Sequence, residues 1–195
     1  MIRHGTLLAL ALGAAGCLSL KPQPDPARFY VLSATVPEPA ARRPGLVVGV
    51  GPVTLPDYLD RSQLVTRYGD HRLGLAEASR WAEPLEPMVA RVLRDDLVAA
   101  LGAERGLDYP WARTLAPAPV IEVDFEHFER DSAGTALLDA RWRVRHGANV
   151  RVGRAQLSEP SATMSSEDAV AALSRALGRL AGEIATAARD LATAD

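Results

Sequence analysis

The residues able to do chemistry in this 195-residue chain are few: four histidines, one cysteine and scattered carboxylates such as Asp95-Asp96. Hydrolytic and metal chemistry require particular spacings, among them His-x-His, His-Glu-x-x-His or a Gly-x-Ser-x-Gly elbow, and the chain contains none of these. His71, His127 and His146 fall singly on expected strands or strand ends. Asp95 and Asp96 stand beside Arg94 on an expected helix, where adjacent residues diverge, and are read as solvated. Gly49-x-Gly51 has the glycine spacing of a phosphate loop, but Pro52 follows at once and no helix begins there. The pattern points to a protein that is not an enzyme and that holds no metal or dissociable cofactor.

That leaves Cys17, the only thiol, which closes an apolar stretch. Residues 5–16 are uncharged and follow Arg3 and His4; a spanning helix needs about 20 apolar residues, so this run is too short to cross a membrane. A short basic start, a short apolar centre and small residues at the end mark a secretory signal. Ala14-Ala15-Gly16-Cys17 looks like a bacterial lipobox, with Ala14 where leucine is usual. A plain secreted protein with an incidental cysteine is the other reading. On the lipobox reading residues 1–16 are cleaved and Cys17 carries a diacylglyceryl thioether with an amide-linked third chain, enough acyl groups for stable anchoring. Leu18, standing where aspartate would retain such a protein in the inner membrane, points to the outer membrane and a periplasmic domain.

The segment 17–27 holds Pro22, Pro24 and Pro26 and reads as an extended tether; ten such residues reach about 30 Å. Residues 28–195 are long enough for one domain with a substantial core. The formal charge of −2 and the lack of any run of like charge give no basic footprint for nucleic acid.

Periodicity supplies the elements. RFYVLSA is a short β run, and LVVGVGPVTLP is apolar on both alternations, the mark of a strand buried on two sides. Residues 63–68 and 71–75 flank Gly69-Asp70 as a hairpin with a two-residue turn. Leu85, Met88, Val89, Val92, Leu93, Leu97, Ala100 and Leu101 form one helical stripe, with Gly102 placed to end it. In VIEVDFEHF and TALLDARWRVRHG, Ile121, Val123 and Phe125 and then Leu138, Ala140, Trp142 and Val144 alternate with charges. Pairing Glu126 with Arg141, Asp124 with Arg143 and Glu122 with Arg145 sets acids against bases. A further strand is expected over 149–157, then a long helix opened by Ser165 and Asp168, with a stripe from Val170 to Leu191. Gly178 and Gly182 on it are read as allowing close approach to the sheet; a partner helix is the lesser reading. Six or seven strands with two long helices predict an α+β fold, a twisted and largely antiparallel sheet with both helices on one face.

The stretch 48–97, with GPVTLPDYLDR, QLVTR and RWAEPL ahead of the first long helix, resembles the signature region of the PqiC-like lipoproteins, also described as auxiliary lipoprotein components of ABC-type transport systems. The resemblance implies an outer-membrane lipoprotein that works with a mammalian-cell-entry (MCE) type protein and an inner-membrane component to move lipid across the envelope and support membrane integrity. Assembly into a ring is compatible with it, and the only attached group it implies is the lipid on Cys17. The alternative is a structural envelope lipoprotein that binds itself or the cell wall. Within the motif, Pro56 stiffens a loop presenting Asp57, Tyr58, Leu59 and Arg61, with Trp81 near the same surface; these six are the candidate partner-binding residues. Tyr58, Leu59 and Trp81 serve equally well as a cap on the core.

Overall fold

The computed structural model describes residues 26–112 and 114–193. The lipobox, Cys17 and most of the proline-rich segment lie outside them. Eight strands and two helices form the α+β fold: β1 (Arg28–Tyr30), β2 (Arg43–Thr54), β3 (Gln63–Tyr68), β4 (Arg72–Trp81), α1 (Leu85–Leu101), β5 (Ala103–Asp108), β6 (Val120–Asp131), β7 (Thr135–His146), β8 (Asn149–Pro160) and α2 (Ser166–Ala192).

The sheet branches at β6. One side of β6 pairs antiparallel with β7 along nearly its whole length, and β7 with β8. Its other side is shared: β2 pairs in parallel with residues 120–124, and β3 with residues 130–131. From β2 the sheet continues to β5, and from β3 to β4 and β1. Antiparallel ladders carry most of the registered pairs, while parallel joins connect the branches. Both helices cover one face, α1 over β2 and β5 and α2 over β6, β7 and β8, and they pack on each other.

Strand β2 is buried on both faces because Val48 and Val50 enter the core while Gly49 lies under the 109–119 loop; a Cβ at Gly49 would come within 2.8 Å of Pro117 and 2.9 Å of Trp111. Helix α1 starts after Pro84 and ends at Gly102, whose φ of +62° is the left-handed cap position. Its C-cap leads straight into β5, a strand that the sequence pattern hides: Ala-Glu-Arg-Gly-Leu-Asp has no alternation. The Ser165 hydroxyl caps α2 by accepting the Asp168 N–H at 3.1 Å.

Four expectations are corrected. The hairpin loop has three residues, 69–71, since Tyr68 pairs with Arg72, and β4 runs on to Trp81. The β6–β7 register lies two residues from the expected one, with Glu122 opposite Arg143, Asp124 opposite Arg141 and Val120 opposite Arg145; a bulge between Phe125 and His127 takes up one of the two. Acids still meet bases, with Glu122 3.1 Å from Arg143 and Glu126 2.5 Å from Arg141, while Asp124 accepts from the Thr54 hydroxyl at 2.6 Å. Asp96 is fully buried rather than solvated; its Oδ1 accepts the Thr35 and Val36 N–H groups at 2.7 and 2.8 Å. Gly178 faces that same 33–36 segment, not the sheet: a Cβ there would fall 2.1 Å from Thr35 Oγ1, whereas Gly182 meets nothing within 4 Å.

Candidate functional site

Beyond β2, Leu55 and Pro56 turn the chain into a single 3-10 turn, Asp57–Leu59, closed by the Leu59 N–H on the Pro56 carbonyl at 2.9 Å. Pro56, with φ −62° and ψ 142°, sets the entry angle. The six candidate residues then divide. Leu59 is 2% exposed and joins Leu64, Trp81, Leu85 and Phe128 in the core. The Trp81 side chain is buried, and the backbone N–H of the same residue donates to the Ser62 carbonyl at 2.6 Å, which closes the base of the loop. Asp57 and Arg61 are exposed, while Pro56 and Tyr58 are half-buried. Leu59 and Trp81 hold the loop to the body, and the surface it presents comes from Pro56, Asp57, Arg61 and the edge of Tyr58.

Tyr58 folds onto the sheet face opposite the helices. Its hydroxyl donates to Glu129 Oε2 at 2.8 Å; Arg67 Nε donates to Glu129 Oε1 at 2.5 Å and its Nη2 to the Tyr58 oxygen at 3.3 Å. The Phe128 N–H adds a third bond to the carboxylate at 2.8 Å, and His127 Nδ1 lies 3.1 Å from it. The Glu129 side chain has no exposed surface, so this is a buried carboxylate whose charge is met by a guanidinium. Burial, then the Glu129 charge, push the Tyr58 phenol far above its usual pKa, so it stays a proton donor. Burial pulls the Arg67 pKa down, but its bond to Glu129 and the bond to Tyr58 outweigh that and raise it. The phenol and the guanidinium, both donating to the buried Glu129, tie the loop to the sheet.

Glu129, Arg67 and His127 are absent from the sequence-based site. After the bulge Phe128 returns to the core, which turns Glu129 to the outer face beside Arg67 of β3. Two observations in the sequence bore on this: an apolar Phe128 out of alternation with Phe125, and an acid inside the β run.

Between this loop and the start of α1 lies a recess of about 240 Å³ lined by Leu55, Pro56, Leu59 and Pro87, with Asp57, Asp60 and Glu86 at its rim. Three carboxylates beside an apolar floor suit a partner segment with basic and apolar side chains. Among the described residues no cluster of His, Cys, Asp and Glu is arranged to hold a metal ion, and no helix is long and apolar enough to cross a membrane.

A family model described as ABC-type transport auxiliary lipoprotein component matches residues 30–185. The chain belongs to that family. Its match runs from the end of β1 to the last turns of α2, and so includes the loop, the recess and the buried cluster. No curated protein matches the chain. Among solved structures, an uncharacterized protein superposes with a TM-score of 0.69 at 18% identity, covering 82% of this chain and 97% of that one. A DUF330 protein from Xanthomonas campestris gives 0.65 at 16% identity, over 86% and 97%. At these identities the likeness shows the fold alone.

Proposed function

We propose that the protein is a non-catalytic docking subunit of an envelope lipid-transport system, held by a lipidated Cys17 to the periplasmic face of the outer membrane. It engages an MCE-type partner, itself linked to an inner-membrane component, through the 55–61 loop and the acidic recess beside it. The observation that carries this reading is the pinning of the loop: Leu59 and Trp81 anchor it from below, and the Glu129–Arg67–Tyr58 cluster anchors it from the side, leaving Asp57, Asp60 and Arg61 outward. A loop held rigid before binding loses little entropy on docking, which is the economy expected of a recognition surface.

The test is purification of the full-length protein from native membranes in mild detergent, with stoichiometric companions identified by mass spectrometry. An MCE-domain protein is expected to co-purify, and Asp57→Lys with Asp60→Lys to remove it while the fold, followed by circular dichroism, persists. Retention of the partner by that double variant would move the docking surface elsewhere. Recovery of only further copies of the chain or cell-wall fragments would favour the structural-lipoprotein alternative.

A further inference from the structure

The first described strand carries an exposed apolar edge. Along residues 29–32 alternation sends Tyr30 and Leu32 to the core, and Phe29 and Val31 outward, where they are 64% and 53% exposed. β1 is hydrogen-bonded to β4 alone among the described strands. Beside it a groove of about 660 Å³ runs between residues 28–35 and the first turns of α2. Its apolar lining comes from Phe29, Val31, Val170 and Ala171; Arg28 and Arg175 stand at its sides, with Glu167 the one acid. Arg175 already donates to the Pro160 carbonyl at 2.8 Å, which keeps its guanidinium near the groove.

What meets this surface follows from where it sits in the chain. Phe29 is twelve residues beyond Cys17, a reach of at most about 43 Å for any chain of that length. A surface so close to an acyl anchor experiences the bilayer at a high effective concentration. An exposed aromatic and valine flanked by arginines match the interfacial zone, where rings sit at headgroup level and guanidinium groups pair with phosphates.

We infer that the Phe29–Val31 edge and its groove form a membrane-facing surface: Phe29 and Val31 enter the headgroup layer of the bilayer holding the anchor, and Arg28 and Arg175 contact lipid phosphates. This rests on the lipid-anchor reading of Cys17 and adds an orientation: the groove lies at the start of α2, while the Val150–Val152 end of β8 lies at its far end, where Arg151 pairs with Asp190, so a domain laid down on β1 holds that end of β8 away from the bilayer.

The lipidated full-length protein is reconstituted in vesicles of equal parts phosphatidylethanolamine and phosphatidylglycerol. Cys17 being the only native cysteine and blocked by lipid, Phe29→Cys, Val31→Cys and Val152→Cys each take a single fluorophore; Val152 is 68% exposed on β8. The expected result is severalfold stronger quenching by bromine-labelled phospholipid at positions 29 and 31 than at 152, with the reverse order for aqueous iodide. Equal quenching at all three positions overturns the inference. So does shielding of 29 and 31 from iodide without lipid quenching, the sign that a second copy or another protein covers them. The mass of the N-terminal peptide separates the two claims: a lipidated Cys17 with no lipid contact at 29 and 31 sinks only this inference, and an unmodified Cys17 sinks the anchor and with it the orientation.

Discussion

Two loops in this molecule are each held by a buried carboxylate, and the carboxylates are treated in opposite ways. Glu129 fixes the 55–61 loop with a guanidinium, a phenol and a backbone N–H around its two oxygens. Asp96 fixes the 33–36 segment with backbone N–H groups on Oδ1 only, while Oδ2 is buried with no partner. One site compensates a negative charge with a positive one; the other offers it only peptide dipoles. The first arrangement suits a loop that must stay rigid while facing a partner. The second fastens the strand exit from β1 across the crevice between the helices, where Ser33 N–H also donates to Ser174 Oγ at 3.2 Å.

The largest effect is expected at the compensated site. Glu129→Ala strands Arg67 and leaves the Tyr58 hydroxyl and Phe128 N–H without their acceptor, a loss of about 3–5 kcal/mol for a broken buried pair. Urea unfolding measures the total, and hydrogen exchange should show the increase concentrated in residues 55–61. If protection fell evenly over the whole sheet instead, the cluster would be a general core element and the comparison would fail.

Asp96→Ala comes next, at about 2–3 kcal/mol, since it orphans two N–H groups without stranding a cation. Its pH dependence separates the two sites further. Burial, only partly offset by the Val36 and Thr35 N–H groups, raises the Asp96 pKa. A carboxyl with a raised folded pKa stabilises most when protonated, below its unfolded pKa, and that contribution is lost as pH rises through the folded value. The stability of the native protein relative to Asp96→Asn should therefore fall between acid and neutral pH. Asp139 runs the other way: the hydrogen bond from Arg154 lowers its pKa, so its contribution is present above the unfolded pKa and lost as pH falls through the folded one. Urea titrations of Asp96→Asn and Asp139→Asn over pH should give slopes of opposite sign; parallel slopes would remove the electrostatic distinction drawn for Asp96.

Much of the frame was legible. The stripes of α1 and α2, the two-sided burial of β2 and the apolar alternation of β6 and β7 are repetitive signals, and each led to the right element. Asp96 was legible as well, because it lies four residues after Val92 and three after Leu93, on the buried stripe; its charge drew it to the wrong face. Other features depend on contacts distant in sequence. The Phe125–His127 bulge shifts the register by local geometry with no period, β5 is a strand only because β2 lies beside it, and Glu129 finds Arg67 through a parallel join of β3 to β6. Within the candidate site, the motif located the loop, but a hydropathy reading does not tell which of Tyr58, Leu59 and Trp81 point outward.

Tyr58→Phe sharpens the comparison at smaller cost. It removes the hydroxyl's bond to Glu129 and the longer one it accepts from Arg67, while keeping the ring under Arg67, whose guanidinium carbon lies 5.6 Å from the ring centre. A loss of about 1.5 kcal/mol is expected, with faster exchange in residues 55–61 and weaker capture of the partner. Unchanged exchange would mean that Leu59 and Trp81 alone hold the loop.

The smallest effect tests the other fastening from its far side. Gly178 and Gly182 occupy the same helix one turn apart, and both cost helix stability relative to alanine, by about 1 kcal/mol each. At Gly182 a methyl group has open space, so Gly182→Ala should raise stability by about that amount. At Gly178 the same methyl meets Thr35 Oγ1, the side chain of a residue whose N–H Asp96 accepts. If the segment is held as tightly as those bonds require, Thr35 must rotate off Ser174 or the segment must lift, and Gly178→Ala should gain nothing or lose stability. Equal gains at the two glycines would mean that the 33–36 segment yields freely and that Asp96 fastens it only weakly.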